Sequence, residues 1–339
     1  MSDMILRATS DLHLSKQTAP YVFAALKELY ADALDHKGFT VLVGDIFNQP
    51  VSVNMPVYNR LRELLQGWPS VVYVLAGNHD QYDGWRNCLE GLAGRACRVI
   101  SRPRWTMLGR MIPYTAPDAF EGVLRGLEKE IKSREERPRL IWTHHGFRGA
   151  YRNAMSIDRD GVSCRVVPPD HIVITGHYHM PQTVGRIVYC GSPYETTFAE
   201  EGQAKGWLRW DDAMADPIPV RVPFKNVGAP RHVTIYWDPR DGPPEVPDMA
   251  ENDKPRIIVA GTRQDALAHG RELRAAGLEG VPLQCQPEQG STRGIVVSGM
   301  APRRAASRYA AAVMGLNNAM PDPDSMEEWA EEVQLWETS

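Results

Sequence analysis

Five short segments carry side chains that can ligate a divalent metal ion: Asp11-Leu12-His13, Gly44-Asp45-Ile46-Phe47-Asn48, Gly77-Asn78-His79-Asp80, Thr143-His144-His145 and Gly176-His177-Tyr178-His179. Mixed carboxylate, imidazole and amide donors suit hard or borderline ions, whereas a thiolate centre needs clustered cysteines. The five cysteines, at positions 88, 97, 164, 190 and 285, are scattered and include no C-x-x-C pair, so reduced, buried thiols are expected. Asp11 and His13 stand two apart, as do His177 and His179, and in extended backbone that spacing puts both side chains of a pair on one face. Six or more donors exceed the needs of one tetrahedral ion. The expectation is two ions roughly 3.5–4 Å apart, which clamp the attacking and leaving oxygens of a phosphoryl displacement, with Asp45 as the natural bridging carboxylate.

Elements must position these groups. Residues 4–8, 40–43, 71–76, 140–142 and 171–175, just ahead of the five segments, are rich in Val, Ile and Leu and too short for helices, so they predict buried strands. Each strand then delivers polar residues at its C-terminal end, the rim where α/β proteins collect ligands. Taken singly, the pieces have structural readings: Asp11 as a helix cap, Gly77-Asn78 as a turn, His177 or His179 as core histidines. Five in fixed order, each behind a strand, point to a metal centre.

At 339 residues and 43% hydrophobic content the chain can bury a large domain and a smaller one. It has no run of eighteen apolar residues and no signal-peptide pattern, so a cytoplasmic protein without membrane attachment is expected. A formal net charge of −4 argues against bulk electrostatic attachment to nucleic acid, so a grip on DNA would need local basic patches.

The series D-x-H, G-D-x-x-N, G-N-H-D, T-H and G-H-x-H resembles that of the calcineurin-like metallophosphoesterase superfamily. The resemblance covers about residues 4–212 and implies an α/β (α+β) fold, a four-layer αββα sandwich of two mixed sheets flanked by helices. Within it, Gly44-Asp45-Ile46-Phe47 followed by Pro50, and Cys190-Gly191-Ser192-Pro193 through Phe198-Ala199-Glu200-Glu201 to Lys205-Gly206, are similar to the second motif and the return segment of SbcD-type DNA repair nucleases. The resemblance implies that Asp11, His13, Asp45 and His179 hold one ion and Asp45, Asn78, His144 and His177 the other, with manganese as the metal. His79 is then the histidine beside the scissile phosphate, protonating or orienting it. The doublet leaves His144 and His145 both open as the ligand; His144, first after its strand, is the expected one. Asn48 stands where some relatives carry an acidic residue or histidine and is given no metal role.

The chain divides by composition into residues 1–222, the expected metallophosphoesterase domain; 223–320, a small α+β capping domain with strands over 256–260 and 294–298 and helices over 265–276 and 303–316; and an acidic amphipathic helix within 321–339. In that last helix Ser325 and Glu328 form a capping-box pattern, and Met326, Trp329, Val333 and Trp336 share a stripe that needs a surface, either the chain's own cap or a partner. The resemblance favours a partner, an SbcC-like coiled-coil ATPase. The chain has no G-x-x-x-x-G-K-[ST], so an ATP-driven step requires another polypeptide. Val57, Leu61, Leu64, Leu65 and Trp68 form a helical stripe that suits either a homodimer contact or ordinary core packing. Arg148 and Arg152 are candidate contacts to backbone phosphates, while Arg102, Arg104 and Arg110 read as solvated surface. The expected function is a manganese-dependent DNA nuclease subunit, 3′ to 5′ exonuclease and endonuclease, acting with the ATPase in recombination or repair. The alternatives are a stand-alone phosphodiesterase on small substrates and a DNA-end-binding scaffold with minor catalysis.

Overall fold

The computed structural model describes residues 5–132, 139–154, 156–211, 219–260 and 268–285. The described chain divides into two compact units, one holding the described residues of Met1–Tyr194 and Gln203–Gly228, the other those of Glu195–Gly202 and Ala229–Asn317.

In the first unit the chain lays down β1 (Ile5–Thr9), helix α1 (Ala19–Asp35), β2 (Gly38–Val43), helix α2 (Met55–Gln66), β3 (Val71–Leu75) and β4 (Cys97–Ile100). It then crosses to a second sheet through β5 (Arg104–Thr106), β6 (Gly109–Ile112), helix α3 (Pro117–Lys132), β7 (Leu140–Thr143), β8 (Ile172–Thr175), β9 (Gln182–Val184) and β10 (Ile187–Tyr189), and returns to the first through β11 (Gly206–Asp211) and β12 (Val220–Pro223). The sheet orders are β12-β11-β1-β2-β3-β4 and β9-β10-β8-β7-β6-β5. In each, four consecutive strands run parallel: β1 to β4 in the first sheet, with β4 at its edge, and the central β10, β8, β7 and β6 in the second. The other strands of each sheet pair antiparallel.

Both faces of the parallel strands are covered, which is why they read as continuous apolar runs. Leu6 and Ala8, Val41 and Val43, Leu75 and Ile100 of the first sheet share one core with Met111, Trp142, Ile174 and Val188 of the second. On the outer face of the second sheet Phe120, Leu124 and Leu127 of α3 pack with Ile112, Ile141, Val173 and Ile187. Helix α1 buries Val22, Phe23, Leu26 and Leu29, the i, i+3, i+4 stripe of a helix laid on a sheet, and packs on β2. The arrangement is the four-layer αββα sandwich. Of the α2 stripe, Leu61, Leu65 and Trp68 are buried within the chain, with Trp68 Nε1 donating to Thr40 Oγ1 at 3.1 Å; Val57 and Leu64 are half-buried.

The second unit is a three-stranded parallel sheet, β13 (His232–Trp237), β14 (Lys254–Val259) and β15 (Leu283–Cys285) in that order, with the short helix α4 (Gly270–Ala275). Ile235, Trp237, Ile257, Val259, Leu273 and Leu278 form its core. The N–H groups of His232 and Thr234 on the edge strand β13 donate to the carboxylates of Glu195 and Glu201 at 2.7 and 2.8 Å, which blunts an otherwise open edge. The elements expected over 294–298 and 303–316, and the helix carrying Met326, Trp329, Val333 and Trp336, lie outside the described residues. Among the described residues no helix is long and apolar enough to cross a membrane.

Arg7, on the outer face of β1, is fully buried beneath α1. Its guanidinium pairs with Asp32 and donates to the carbonyls of Asp32 and His36 at 2.8 and 2.6 Å, so it closes the C-terminal end of the helix. Removing one partner of a buried pair strands the other charge. Asp32→Ala is expected to lower unfolding stability by about 3 kcal/mol, at the low end of that class because Asp32 is partly exposed; a denaturant titration showing a loss below about 1 kcal/mol would mean that the carbonyls alone suffice.

Candidate metal centre

Short loops carry the ligand-bearing side chains from the C-terminal ends of β1, β2, β3, β7 and β8 to one place. Asp11, His13 and His179 bring one potential ligand atom each to within 4.8 Å of one another, as do Asp11, Asp45 and His144, and His13, Asp45 and His79. The Asp45 carboxylate lies 3.8 Å from His13 Nε2 and 3.2 Å from His144 Nε2. It therefore sits between the two groups, where a bridging ligand would be. His177 Nδ1 is 3.1 Å from Asn78 Oδ1, and the His177 backbone N–H donates to Asp11 at 3.0 Å.

The backbone that achieves this is not extended. Asp11, His13, Asp45 and His177 have φ of 51°, 44°, 51° and 83°, and only one further non-glycine residue among those described, Asp170, has positive φ. The side chains of Asp11 and His13 converge because both residues are left-handed, not because extended residues two apart share a face. Such conformations cost on the order of 1–3 kcal/mol each and persist only where the surroundings impose them. Here the Asp11 and His13 amides donate to the carbonyls of Gly44 and Asp45 at 3.1 and 3.0 Å, locking the first loop to the second. Glycine permits the close approach: a methyl group on Gly77 would run into the Asp45 carboxylate and amide, and one on Gly176 would lie 2.6 Å from the Val43 carbonyl and 2.7 Å from His144 Nδ1.

Hydrogen bonds give the two histidines of the doublet different surroundings. His145 has both ring nitrogens engaged, Nδ1 with Thr143 Oγ1 at 2.7 Å and Nε2 with the Thr115 carbonyl at 3.0 Å, and its ring stacks on Phe120 at 3.6 Å. Burial lowers its pKa to about 3, so it is a neutral packing group. His144 donates Nδ1–H to the Val43 carbonyl, 2.7 Å away, which leaves Nε2 directed into the site. Nε2 faces carboxylate oxygens of Asp45 at 3.2 Å and Asp11 at 3.8 Å, so that nitrogen must carry either a proton or a cation. His13 Nε2 and His179 Nε2 meet at 2.9 Å, so that one of them donates. Two carboxylates and three inward-facing imidazole nitrogens at these distances gather around positive charge, a proton or a metal ion, and the donor set fits two divalent ions.

Without a metal, a proton takes the cation's place on His144. Burial opposes charging His144, but Asp45 and then Asp11 outweigh it and push the imidazole up to about 9. Burial likewise works against the Asp45 anion, and His144 more than offsets it, holding that carboxyl well below the usual range. Burial, reinforced by neighbouring histidines, lowers His13 and His177 to about 4, so both imidazoles are neutral at neutral pH.

Three supporting residues are not evident from the motifs alone. Asp80, buried, accepts the backbone N–H groups of Ile46, Phe47 and Gly77 at 3.2, 3.0 and 2.9 Å and so ties the second loop to the third. Ser192 N and Lys205 Nζ donate to the His179 carbonyl at 3.1 and 3.0 Å, so the return segment fixes that loop. An acidic residue next to Asn78-His79 and a lysine closing the return segment were the available signals. His79 is partly exposed; its backbone N–H donates to Asp45 at 2.9 Å and its Nδ1 faces the Asn48 carbonyl at 2.9 Å. Arg148 is exposed, whereas the Arg152 guanidinium pairs with Asp158 and approaches Asp160 at 3.6 Å.

Two outcomes follow for metal uptake. An ion takes neutral His144, so binding releases its proton whenever the pH is below about 9. Affinity should rise about tenfold per pH unit up to that point and then level off; titration calorimetry in buffers of differing ionisation enthalpy should show the released proton. A pH-independent affinity from 6 to 8 would contradict the proton on His144. Asp80→Asn replaces an acceptor by a donor against backbone N–H groups and is expected to weaken metal binding roughly 10–100-fold with the ligands intact.

Comparisons place this geometry. No curated protein matches the chain. Among solved structures it is similar to Yfce, a phosphoesterase from E. coli, at 16% identity over 66% of this chain and 100% of that one, with a TM-score of 0.35. It is also similar to GAP50, the anchor in the inner membrane complex of Plasmodium, at 11% identity over 85% of this chain and 98% of that one, with a TM-score of 0.40. At those TM-scores neither likeness carries an argument. The profile of the calcineurin-like phosphoesterase family matches residues 6–181, more than half of the 339-residue chain and all five ligand-bearing loops, and the chain belongs to that family.

Proposed function

We propose that this phosphoesterase is a dinuclear DNA nuclease, hydrolysing phosphodiesters as exonuclease and endonuclease with two manganese ions, and working with a coiled-coil ATPase of the SbcC type. One observation carries the hydrolytic reading: the inward-facing Nε2 of His144 and the paired Nε2 atoms of His13 and His179 converge with Asp11 and Asp45 as a donor set that fits divalent cations. Asp11, His13, Asp45 and His179 would hold one ion, and Asp45, Asn78, His144 and His177 the other. Bound there, two such ions make hydroxide available near neutral pH and neutralise charge on the phosphate oxygens.

The chain's own residues do the rest. Asp45 holds the two halves of the site at one spacing. His79, its Nδ1 held by the Asn48 carbonyl, keeps Nε2 to take or give a proton at the leaving oxygen. The DNA substrate and the ATPase are supported by the second motif with Pro50, by the return segment that underpins His179, and by the unit that follows. The exposed Arg148 is the candidate phosphate contact; Arg152 acts chiefly on Asp158. Residues 1–222, 223–320 and 321–339 are then nuclease, cap and docking helix, and the half-buried Val57 and Leu64 of α2 are what remains for a second protomer.

The test is hydrolysis of linear duplex, single-stranded DNA and a chromogenic diester by protein loaded with manganese. Cleavage of the diester without either DNA would select the small-substrate reading. His79→Ala should keep both metals and lose most hydrolysis, about 100-fold or more; loss of metal would instead make His79 a ligand, as its closeness to His13 and Asp45 permits. Deleting residues 322–339 should leave DNA cleavage intact and abolish co-purification with the ATPase. A fall of several degrees in melting temperature would show that this helix packs on its own chain.

A further inference from the structure

Tyr114 belongs to none of the five ligand-bearing loops, yet it is fastened to three of them. It follows β6, whose C-terminal end opens on the same rim as β7. Its backbone N–H donates to the carbonyl of Ala76 at 2.9 Å, just before Gly77-Asn78-His79, and its carbonyl accepts from Gln81 Nε2 at 2.8 Å, just after Asp80. Its ring lies nearly parallel to that of His145, 5.1 Å away at 16°, and to that of the candidate ligand His177, 6.1 Å away at 29°. Beneath His145 lies Phe120, so the tyrosine ring stands at the end of a stack rooted in the core under α3. Main chain and ring are thus both fixed. The phenol is the exception: the residue is half-buried, and among the described residues its hydroxyl has no hydrogen-bond partner.

Resting on the phosphoesterase reading above, we propose that Tyr114 is a substrate-binding residue whose hydroxyl donates a hydrogen bond to a non-bridging oxygen of the phosphate held beside His177. A donor whose backbone and ring are immobilised before substrate arrives needs no reorganisation to meet an anionic oxygen, and this gives such a group its effect. A surface tyrosine serving only solubility would need none of these restraints. The hydroxyl moves no proton and breaks no bond. It adds one neutral donor to a site whose other groups are metal ligands and the proton-handling His79.

Tyr114→Phe keeps the stack and the backbone bonds and removes only the donor. In manganese-loaded protein it should weaken competitive inhibition by inorganic phosphate, and lower kcat/KM on a chromogenic diester, by the same roughly 10–100-fold factor, the size of a lost hydrogen bond to a charged acceptor. Manganese affinity, measured without substrate, should be unchanged. Equal phosphate inhibition in variant and wild type overturns the proposal, and so does a loss of manganese affinity, which would make Tyr114 a support for His177. Wild-type protein that binds manganese but neither binds phosphate nor cleaves the diester overturns the proposal and the phosphoesterase reading together. Wild-type activity with an indifferent variant overturns the proposal alone.

Discussion

The buried carboxylates of Asp11 and Asp45 face imidazole nitrogens at distances that call for a positive charge between them, a proton or a metal ion, and the loops around them answer to that crowding. Lone pairs set against carboxylates at 3.2–3.8 Å repel unless a positive charge lies among them. A chain free to relax would turn these side chains outward. It is not free: Asp11, His13, Asp45 and His177 have positive φ, the amides of Asp11 and His13 are bonded to the carbonyls of Gly44 and Asp45 in the neighbouring loop, and the His177 amide to the Asp11 carboxylate. Asp80 and Lys205 fasten the same loops from behind. Folding energy from the sandwich is thereby held as a preformed site, so that a metal finds its ligands already assembled.

His144 and His145 illustrate how neighbours with the same side chain acquire opposite tasks. Each has one nitrogen directed at a backbone carbonyl, Val43 for one and Thr115 for the other. The second nitrogen decides. In His145 it meets the Thr143 hydroxyl, which can donate or accept, so the ring is complete as a neutral group and stacks with Phe120. In His144 it meets two carboxylates, which can only accept, so the ring is incomplete without a proton or a metal.

The five strands that precede the ligand-bearing loops are legible in the sequence because burial on both faces demands unbroken Val, Ile and Leu, and the donors are legible because few other arrangements concentrate Asp, His and Asn behind strands. Strand β6 is not: Gly109-Arg110-Met111-Ile112 lacks that signature, and with it the place of Tyr114 on the rim is hidden. The positive φ angles are not legible either: they fall on Asp and His, types that tolerate that region, but contacts between loops far apart in the chain decide which of them adopt it. Arg152 reads as a free cation until folding brings Asp158 against it. What depends on local composition survives in one dimension, and what depends on which loop lies beside which does not.

The site draws on both sheets. Asp11, Asp45, Asn78 and His79 follow strands of the first, His144, His177 and His179 strands of the second, so the distance between the two donor groups is the distance between sheets. That spacing is set by side chains with no chemistry of their own: Leu6, Val41 and Val43 packed against Trp142 and Ile174, with Trp142 edge-on to Trp210 at 5.8 Å. Close-packed interiors do not deform smoothly, and metal coordination tolerates errors of only a few tenths of an ångström in its ligands. The apolar seam is therefore as much a determinant of where the candidate ligands meet as the loops that carry them. A change in the bulk of Trp142 must be answered across the seam before the side chains from the two sheets can again converge.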